Sequence, residues 1–438
     1  MTATEPVDLT VADLHPALGD PALTSMNFLN EVSERYPAAV SLAAGRPYEE
    51  FFDLAAVHRH LDTFHRHLTD DLGHSSEQAR RLLLQYGRTK GIVHHLIARN
   101  LAVDEGITVD PEAVVVTVGC QEAMFLVLRA LRAGPEDVLL AVAPTYVGLT
   151  GAARLVDLPV WPVAGGPSGV DLADLSAQVR RARAAGLRPR ACYVMPDFAN
   201  PSGVSISAED RRRLLTLAAE EDLLLLEDNP YGLFHSADGP RPPTLKALDT
   251  GRRVVYLGSF AKTVLPGARV GYVVADQRVA GADGRTGPLA DQLAMIKSMV
   301  TVNTSPIAQA VIGGRLLENG CSLVVANTRE RSAYTRNLRH LVTGLRRRFP
   351  GTAAVRWTVP AGGFFVVVTV PFPVDDALLD RSARDYGVLW TPMAHFYDDT
   401  APVCALRLSV SAVTPQQIDV GLDRLAALIT DEVARRAG

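Results

Sequence analysis

The residues best suited to chemistry are concentrated in Ser259-Phe260-Ala261-Lys262-Thr263-Val264-Leu265-Pro266-Gly267-Ala268-Arg269-Val270-Gly271-Tyr272. This stretch lies between two short apolar runs, 254–257 and 270–275, so it reads as a loop held by two strands. The chain has only four lysines, Lys90, Lys246, Lys262 and Lys297, and Lys262 alone sits among Ser, Ala, Pro and Gly rather than surface charges. A lysine with small, apolar neighbours is partly desolvated, which lowers its pKa and frees the amine lone pair to attack a carbonyl carbon. Arg269, seven residues on, offers a fixed cation with a planar fork of donors, suited to a phosphate. The pairing points to a lysine imine with a phosphate-bearing aldehyde. The plainer alternative is a solvated lysine and a salt-bridged arginine in an ordinary loop.

Several other segments end strands with residues of the same kind. Val114 to Val118 reads as a buried strand, and Gly119-Cys120-Gln121-Glu122-Ala123 opens a helix, leaving free backbone N–H groups and a helix dipole to receive an anion. Val138 to Val142 is another strand, followed by Pro144-Thr145-Tyr146. Ala191 to Met195 leads to Asn200-Pro201-Ser202-Gly203, a turn by its residue chemistry. Four leucines, 223–226, run into Glu227-Asp228, with Tyr231 three residues on; open parallel sheets bind ligands at such strand ends. Asp228 could equally be an ordinary turn residue. In Ala405-Leu406-Arg407-Leu408-Ser409 an arginine interrupts an apolar strand, which is costly unless the charge finds a partner, whether a ligand or a structural acid.

The motif S-F-A-K-x-x-x-P-G-x-R-x-G-Y resembles the lysine segment of fold-type I pyridoxal-phosphate (PLP) aminotransferases of classes I and II, especially the branch containing 2-aminoadipate aminotransferases. The resemblance spans about residues 40 to 435, with the motifs in order at strand ends. It implies an α/β fold: a large domain with a mostly parallel seven-stranded sheet between helices, plus a smaller α+β domain. The expected division is an N-terminal arm with part of the small domain over 1–50, a PLP-binding domain over 51–310 and a small C-terminal domain over 311–438. It also implies the cofactor pyridoxal 5'-phosphate, bonded to Lys262, with Asp228 on the pyridinium nitrogen and Asn200 and Tyr231 on the ring oxygen. Gly119, Cys120, Gln121, Ser259 and Arg269 would serve the phosphate, Tyr146 would stack on the ring, Arg407 would take the substrate α-carboxylate, and Asn200 would contact the substrate as well as the ring oxygen. Tyr86 resembles a tyrosine that reaches the neighbouring subunit's cofactor, which implies a homodimer with shared sites. Ala143 stands where many relatives carry an acid just before the proline.

The implied reaction moves an amino group between an amino acid and a 2-oxo acid. Ser41-Leu42-Ala43-Ala44-Gly45-Arg46-Pro47 resembles the segment over the substrate side chain, so Gly45 and Arg46 are candidates for substrate contact, although Arg46 also reads as an exposed turn residue. Gly363-Phe364-Phe365, His395-Phe396-Tyr397 and Tyr48 could line an aromatic pocket or simply pack. Phe28-Leu29-Asn30-Glu31 with Gly45-Arg46-Pro47-Tyr48 is similar to actinobacterial transaminases that make hydroxyphenylglycine or dihydroxyphenylglycine for antibiotics. General 2-aminoadipate, aromatic or branched-chain metabolism, a lyase or oxidase on the same scaffold, and a PLP-binding regulator-like domain are the alternatives.

Composition narrows the partners. A net charge of −4 over 438 residues gives no basic footprint for nucleic acid or anionic membrane. Four scattered cysteines without metal-ligand spacing, and an N-terminus without a basic and apolar leader, lead to the expectation of a cytoplasmic chain with reduced thiols and no metal. A short helix is expected around Phe28 to Arg35, helices near 52–83 and 91–100, and a long helix from about 310 to Arg347. His58, His60, His65, His67 and His74 are expected on a solvated helix face, since no acid or thiol partner completes a metal set.

Overall fold

The computed structural model describes residues 8–20, 23, 31, 34–166, 168–236, 241–282, 284–351, 354–398 and 401–437. Most of the helix expected at Phe28 to Arg35 therefore lies outside the described residues, including Phe28, Leu29 and Asn30. After a short strand β1 (Val40–Ser41) come helices α1 (Leu54–Arg66), α2 (Ser76–Leu84) and α3 (His94–Glu105). The main sheet then begins with β2 (Val114–Val118), α4 (Gly119–Leu131), β3 (Asp137–Ala143), α5 (Val147–Leu155) and β4 (Val160–Ala164). It continues with α6 (Leu172–Ala184), β5 (Arg188–Val194), α7 (Ala208–Glu220), β6 (Leu224–Asp228), β7 (Val254–Ser259) and β8 (Val270–Val274).

These seven strands form one sheet in the order β2-β8-β7-β6-β5-β3-β4. Only β8 runs against its neighbours, so the other six point the same way and deliver their carboxyl ends to one edge. Parallel neighbours require crossover connections, which α4 to α7 and the segment 229–253 supply, whereas antiparallel β7 and β8 need only the short loop 260–269 that carries Lys262. Side chains alternate across the sheet. Val115, Leu226, Val255 and Val273 face a core made with α4, α5 and helix α8 (Leu289–Val300). Val114, Val116 and Tyr256 face α1, α3 and helix α9 (Pro306–Glu318), while Leu225 and Val254 face α6 and α7. Each such fully buried aliphatic side chain contributes about 1.5–3 kcal/mol.

A second core gathers Leu42 and Ala43 with residues from Leu338 onward, between helices α10 (Thr328–Arg348) and α11 (Pro415–Ala437) and a four-stranded antiparallel sheet. Within that sheet one strand, Phe365–Thr369, pairs with Ala405–Ser409, which in turn pairs with Thr391–Pro392. Strand β1 pairs in parallel with Val388–Leu389, which ties the N-terminal segment to this second core.

The structure corrects two local expectations. The single helix expected from about 310 to Arg347 is broken: α9 stops at Glu318, Gly320 and Cys321 take left-handed backbone, and Ser322 caps a new turn before α10 starts. Asn319-Gly320 marks that break by its turn chemistry. The histidines do not share one solvated face: His58 is exposed, but His60 is 4% exposed and paired with Glu318 at 3.3 Å. Ala310, Ile312 and Leu316 of α9 pack with Phe64 of α1 and Val116 of β2. Among the described residues no helix is long and apolar enough to cross a membrane.

Candidate active site

A cavity of about 640 Å³ lies at the carboxyl edge of the main sheet, where it meets the second core. Lys262 faces it from the loop after β7. Its Nζ donates to the carbonyl of Gly45 at 2.8 Å. Burial, then the charges of Arg269 and Arg407, bring its pKa down to about 8 against the opposing pull of Asp228. The amine is thus far closer to its free-base form at neutral pH than an ordinary lysine.

Asp228 ends β6 and is 2% exposed. Burial pushes its carboxyl up to about 6, while hydrogen bonds from Tyr193 and Cys120 and the charge of Lys262 pull the other way. Tyr193 donates its phenol proton to Oδ2 at 2.6 Å, and the Cys120 thiol lies 3.7 Å from Oδ1. Tyr231 and Tyr146 also line the cavity, and burial holds both phenols well above their usual range.

The turn from β2 into α4 shapes another wall. Gly119 has φ of +70°, and a Cβ there would stand 2.4 Å from Nη2 of Arg269. That cradle admits a guanidinium only because the residue is glycine. Cys120, Gln121, Ser259 and Arg269 border the same cavity, and the Gln121 amide is anchored to the Gly148 carbonyl at 2.5 Å.

Arg407 comes from the second core. Leu406 and Leu408 point into that core, so the alternation of the strand turns Arg407 and Ser409 toward the cavity side. Arg407 is 5% exposed, and its guanidinium lies 4.3 Å from the Phe365 ring and 5.0 Å from Phe396. It donates to Asn200 Oδ1, to the Ala43 carbonyl at 3.1 Å and to Thr391 Oγ1 at 3.1 Å, while Nε is buried without a partner. Among the described residues no carboxylate pairs with it. Burial lowers its pKa to about 10, so it stays charged at neutral pH. A buried cation without a counter-ion is held ready for an anionic ligand.

The segment 42–46 is stitched down by its carbonyls. Ser409 N–H bonds Leu42 at 2.7 Å, Arg407 and Thr391 bond Ala43, Ser411 bonds Ala44 and Arg46 at 3.2 and 2.6 Å, and Lys262 bonds Gly45. Gly45 also lets Phe365 approach, since a Cβ would lie 2.8 Å from that ring. Arg46 borders the cavity but pairs with Glu49 at 3.3 Å in an exposed position.

The candidates Lys262, Asp228, Tyr231, Cys120, Gln121, Tyr146, Asn200, Ser259, Arg269, Arg407, Gly45 and Arg46 thus share one cavity, with Gly119 directly behind it. Tyr86 does not join them; it is 85% exposed, beside the corner of Asn303 and Pro306 that packs on Gly87. Of the aromatic candidates, Phe365 and Phe396 line the cavity, whereas Phe364 packs with Tyr231, Phe234 and Tyr334. Sequence reasoning missed Tyr193 and Thr391. Tyr193 stands opposite Leu226 in the register, and strand alternation puts it on the face that Asp228 shares, a pairing that the local sequence of neither strand signals.

The residues fit a phosphorylated pyridine aldehyde. The cavity holds a depressed lysine amine for the aldehyde, a buried acid for a ring nitrogen, and a glycine cradle with Arg269 for a phosphate. Among the described residues no cluster of side chains could hold a metal.

Comparison with known proteins agrees. The family model "Aminotransferase class I and II" matches residues 62–425. The (S)-3,5-dihydroxyphenylglycine transaminase of Amycolatopsis orientalis is 58% identical over 422 residues, covering 96% of this chain and 95% of that one. Among solved structures, the alpha-aminoadipate aminotransferase of Thermus thermophilus, complexed with N-(5'-phosphopyridoxyl)-L-leucine, superposes with a TM-score of 0.79 at 27% identity, covering 97% and 100% of the two chains. The kynurenine aminotransferase of Pyrococcus horikoshii gives a TM-score of 0.79 at 27% identity over 93% and 94%. With that fold and that set of side chains, the chain belongs to the class I and II aminotransferases, enzymes that use pyridoxal 5'-phosphate to pass an amino group between an amino acid and a 2-oxo acid.

Proposed function

We propose that this enzyme transaminates an arylglycine, with (S)-3,5-dihydroxyphenylglycine or 4-hydroxyphenylglycine as the amino acid of the pair, in antibiotic biosynthesis. The observation that carries the reading is the 58% identity, over nearly the whole chain, to a dihydroxyphenylglycine transaminase. The cavity supports it, because Phe365 and Phe396 flank the buried Arg407 and the small residues Gly151 and Ala152 are part of the lining.

When bound, PLP supplies an electron sink for the bond made and broken at the substrate α-carbon. The protein's own residues do the rest. Lys262 would anchor the cofactor through its amine, and with substrate in place that amine would carry the α-proton as base and then acid; its depressed pKa suits both roles. Asp228 would hold a proton on the ring nitrogen, Asn200 and Tyr231 would donate to the ring oxygen, and Tyr146 would cover the ring. Ser259, Arg269 and the N–H groups of Gly119, Cys120 and Gln121 would hold the phosphate dianion. Arg407 takes the α-carboxylate with two parallel hydrogen bonds, and Gly45 and Arg46 border the substrate side chain.

The working unit on this reading is a cytoplasmic homodimer. Tyr86 and Met299 are each 85% exposed, and Met295, Val300 and Val302 are exposed as well; a dimer would cover such apolar side chains, and Tyr86 would reach the partner's phosphate. The two cores also support a large and a small domain, since the main-sheet core reaches Leu323 and the second core takes up the chain from Leu338.

An absorbance-monitored half-reaction screen tests the substrate. Arylglycines should convert the bound cofactor to its aminated form at least tenfold more efficiently than 2-aminoadipate or leucine. Equal or better turnover of the latter sinks the arylglycine assignment.

A further inference from the structure

Asp228 has a partner that neither its position in the chain nor the shared chemistry of the site accounts for. Tyr193 lies on the neighbouring strand β5, 2% exposed, and its phenol ends 2.6 Å from Asp228 Oδ2. Parallel pairing sets Tyr193 beside Leu226, so both side chains and Asp228 project from the same face of the sheet. Among the described residues the other carboxylate oxygen meets only the Cys120 thiol, at 3.7 Å, a weak donor. A phenol has a single proton to give, and here it goes to the acid.

We propose that Tyr193 is a positioning residue of this active site: its phenol holds the Asp228 carboxylate ionised and fixed in plane, so that the acid can hold a proton on the cofactor's ring nitrogen. The inference rests on the role given above to Asp228. Its physical basis is that a carboxylate removed from water keeps its charge only if donors replace the lost solvent. A hydrogen bond to an ionised acceptor is roughly twice as strong as one between neutral groups. Among the described residues Tyr193 is the one strong donor in place, and Cys120 secures the second oxygen. The buried ring also packs with Ala141, Ala191 and Leu226 in the core, so the test must separate the hydroxyl from the ring.

Y193F removes only the hydroxyl. For the full-length holoenzyme, the PLP dissociation constant and the cofactor's visible absorbance are measured from pH 5 to 9, alongside D228N and the double variant. The acid limb of both curves should move up by about one to two pH units in Y193F. At pH 7 PLP should bind about tenfold more weakly, and kcat should fall about tenfold with little change in KM. In the D228N background Y193F should add nothing further. Incorporation of 3-fluorotyrosine at 193, a slightly more acidic phenol of nearly the same shape, should move the limb the other way, and it preserves the test should Y193F fail to fold. If D228N loosens PLP but both Tyr193 variants titrate like the parent, the proposal for Tyr193 is overturned while Asp228 keeps its role. If D228N binds PLP as the parent does, the role of Asp228 itself is overturned and this inference with it.

Discussion

The amine of Lys262 donates to the backbone carbonyl of Gly45 across 217 positions of the chain, at 2.8 Å. One hydrogen bond thus joins the loop after β7 to the segment that the second core pins through Arg407 and Ser411. The reactive nitrogen and the wall of the cavity are set by two different parts of the fold.

The depressed pKa of Lys262 predicts the pH dependence of cofactor capture. Below about 8 the amine is mainly protonated and cannot attack the aldehyde, so stopped-flow capture of PLP by the apoprotein should accelerate about tenfold per pH unit and level off above 8. A rate independent of pH between 6 and 8 contradicts the shift. K262A should form no borohydride-trappable adduct and should lose about 10³-fold or more in kcat.

Arg407 gives a test that separates binding from chemistry. R407K keeps the charge but loses the fork, so KM for the amino acid should rise about tenfold, and R407A should raise it about 100-fold. Steady-state kinetics on both variants check this. Loss confined to kcat, with KM unchanged, would remove the α-carboxylate from this side chain.

The raised pKa of Asp228 predicts a stability cost in the apoprotein. Between about 4 and 6 the folded state binds the proton that the unfolded chain has released, so this group's contribution to stability falls as pH rises through that window and stays lost above it. D228N removes the charge. Its apoprotein should be more stable than the parent at pH 7.5 by about 1–3 kcal/mol, with the gap closing near pH 4. Urea denaturation at the two pH values reads the difference, and its absence at pH 7.5 would mean that the buried charge costs nothing.

Gly119 should tolerate no side chain. An alanine there must adopt φ near +70° and place its Cβ 2.4 Å from the Arg269 guanidinium. G119A should cost about 1–2 kcal/mol of stability and weaken PLP binding, because Arg269 must give way. Equilibrium dialysis of the variant measures the second effect; unchanged affinity would detach Arg269 from the phosphate.

The sequence carried the reactive residues and their local settings. Lys262 between two apolar runs, Asp228 after four leucines and Gly119 after a valine strand were legible because strand-end turns have a chemistry that does not depend on distant partners. Local reading also misled: the helix expected from about 310 to Arg347 ran over the break at Asn319-Gly320, and no residue near His60 in the chain hinted that Glu318 lies against it. The partner of a side chain on one helix face depends on which helix packs there.

What the amino-acid order determined by itself was the identity of the groups that react and the edge of the sheet on which they stand, since both follow from residues close together in the chain. Which groups touch was decided only by tertiary structure. Strand register set Tyr193 on Asp228, and the alternation of the Ala405–Ser409 strand turned Arg407 away from its core toward Asn200. Those contacts join residues 35 and 207 positions apart, and separations of that length are fixed by the packing of whole elements rather than by any local preference of the chain.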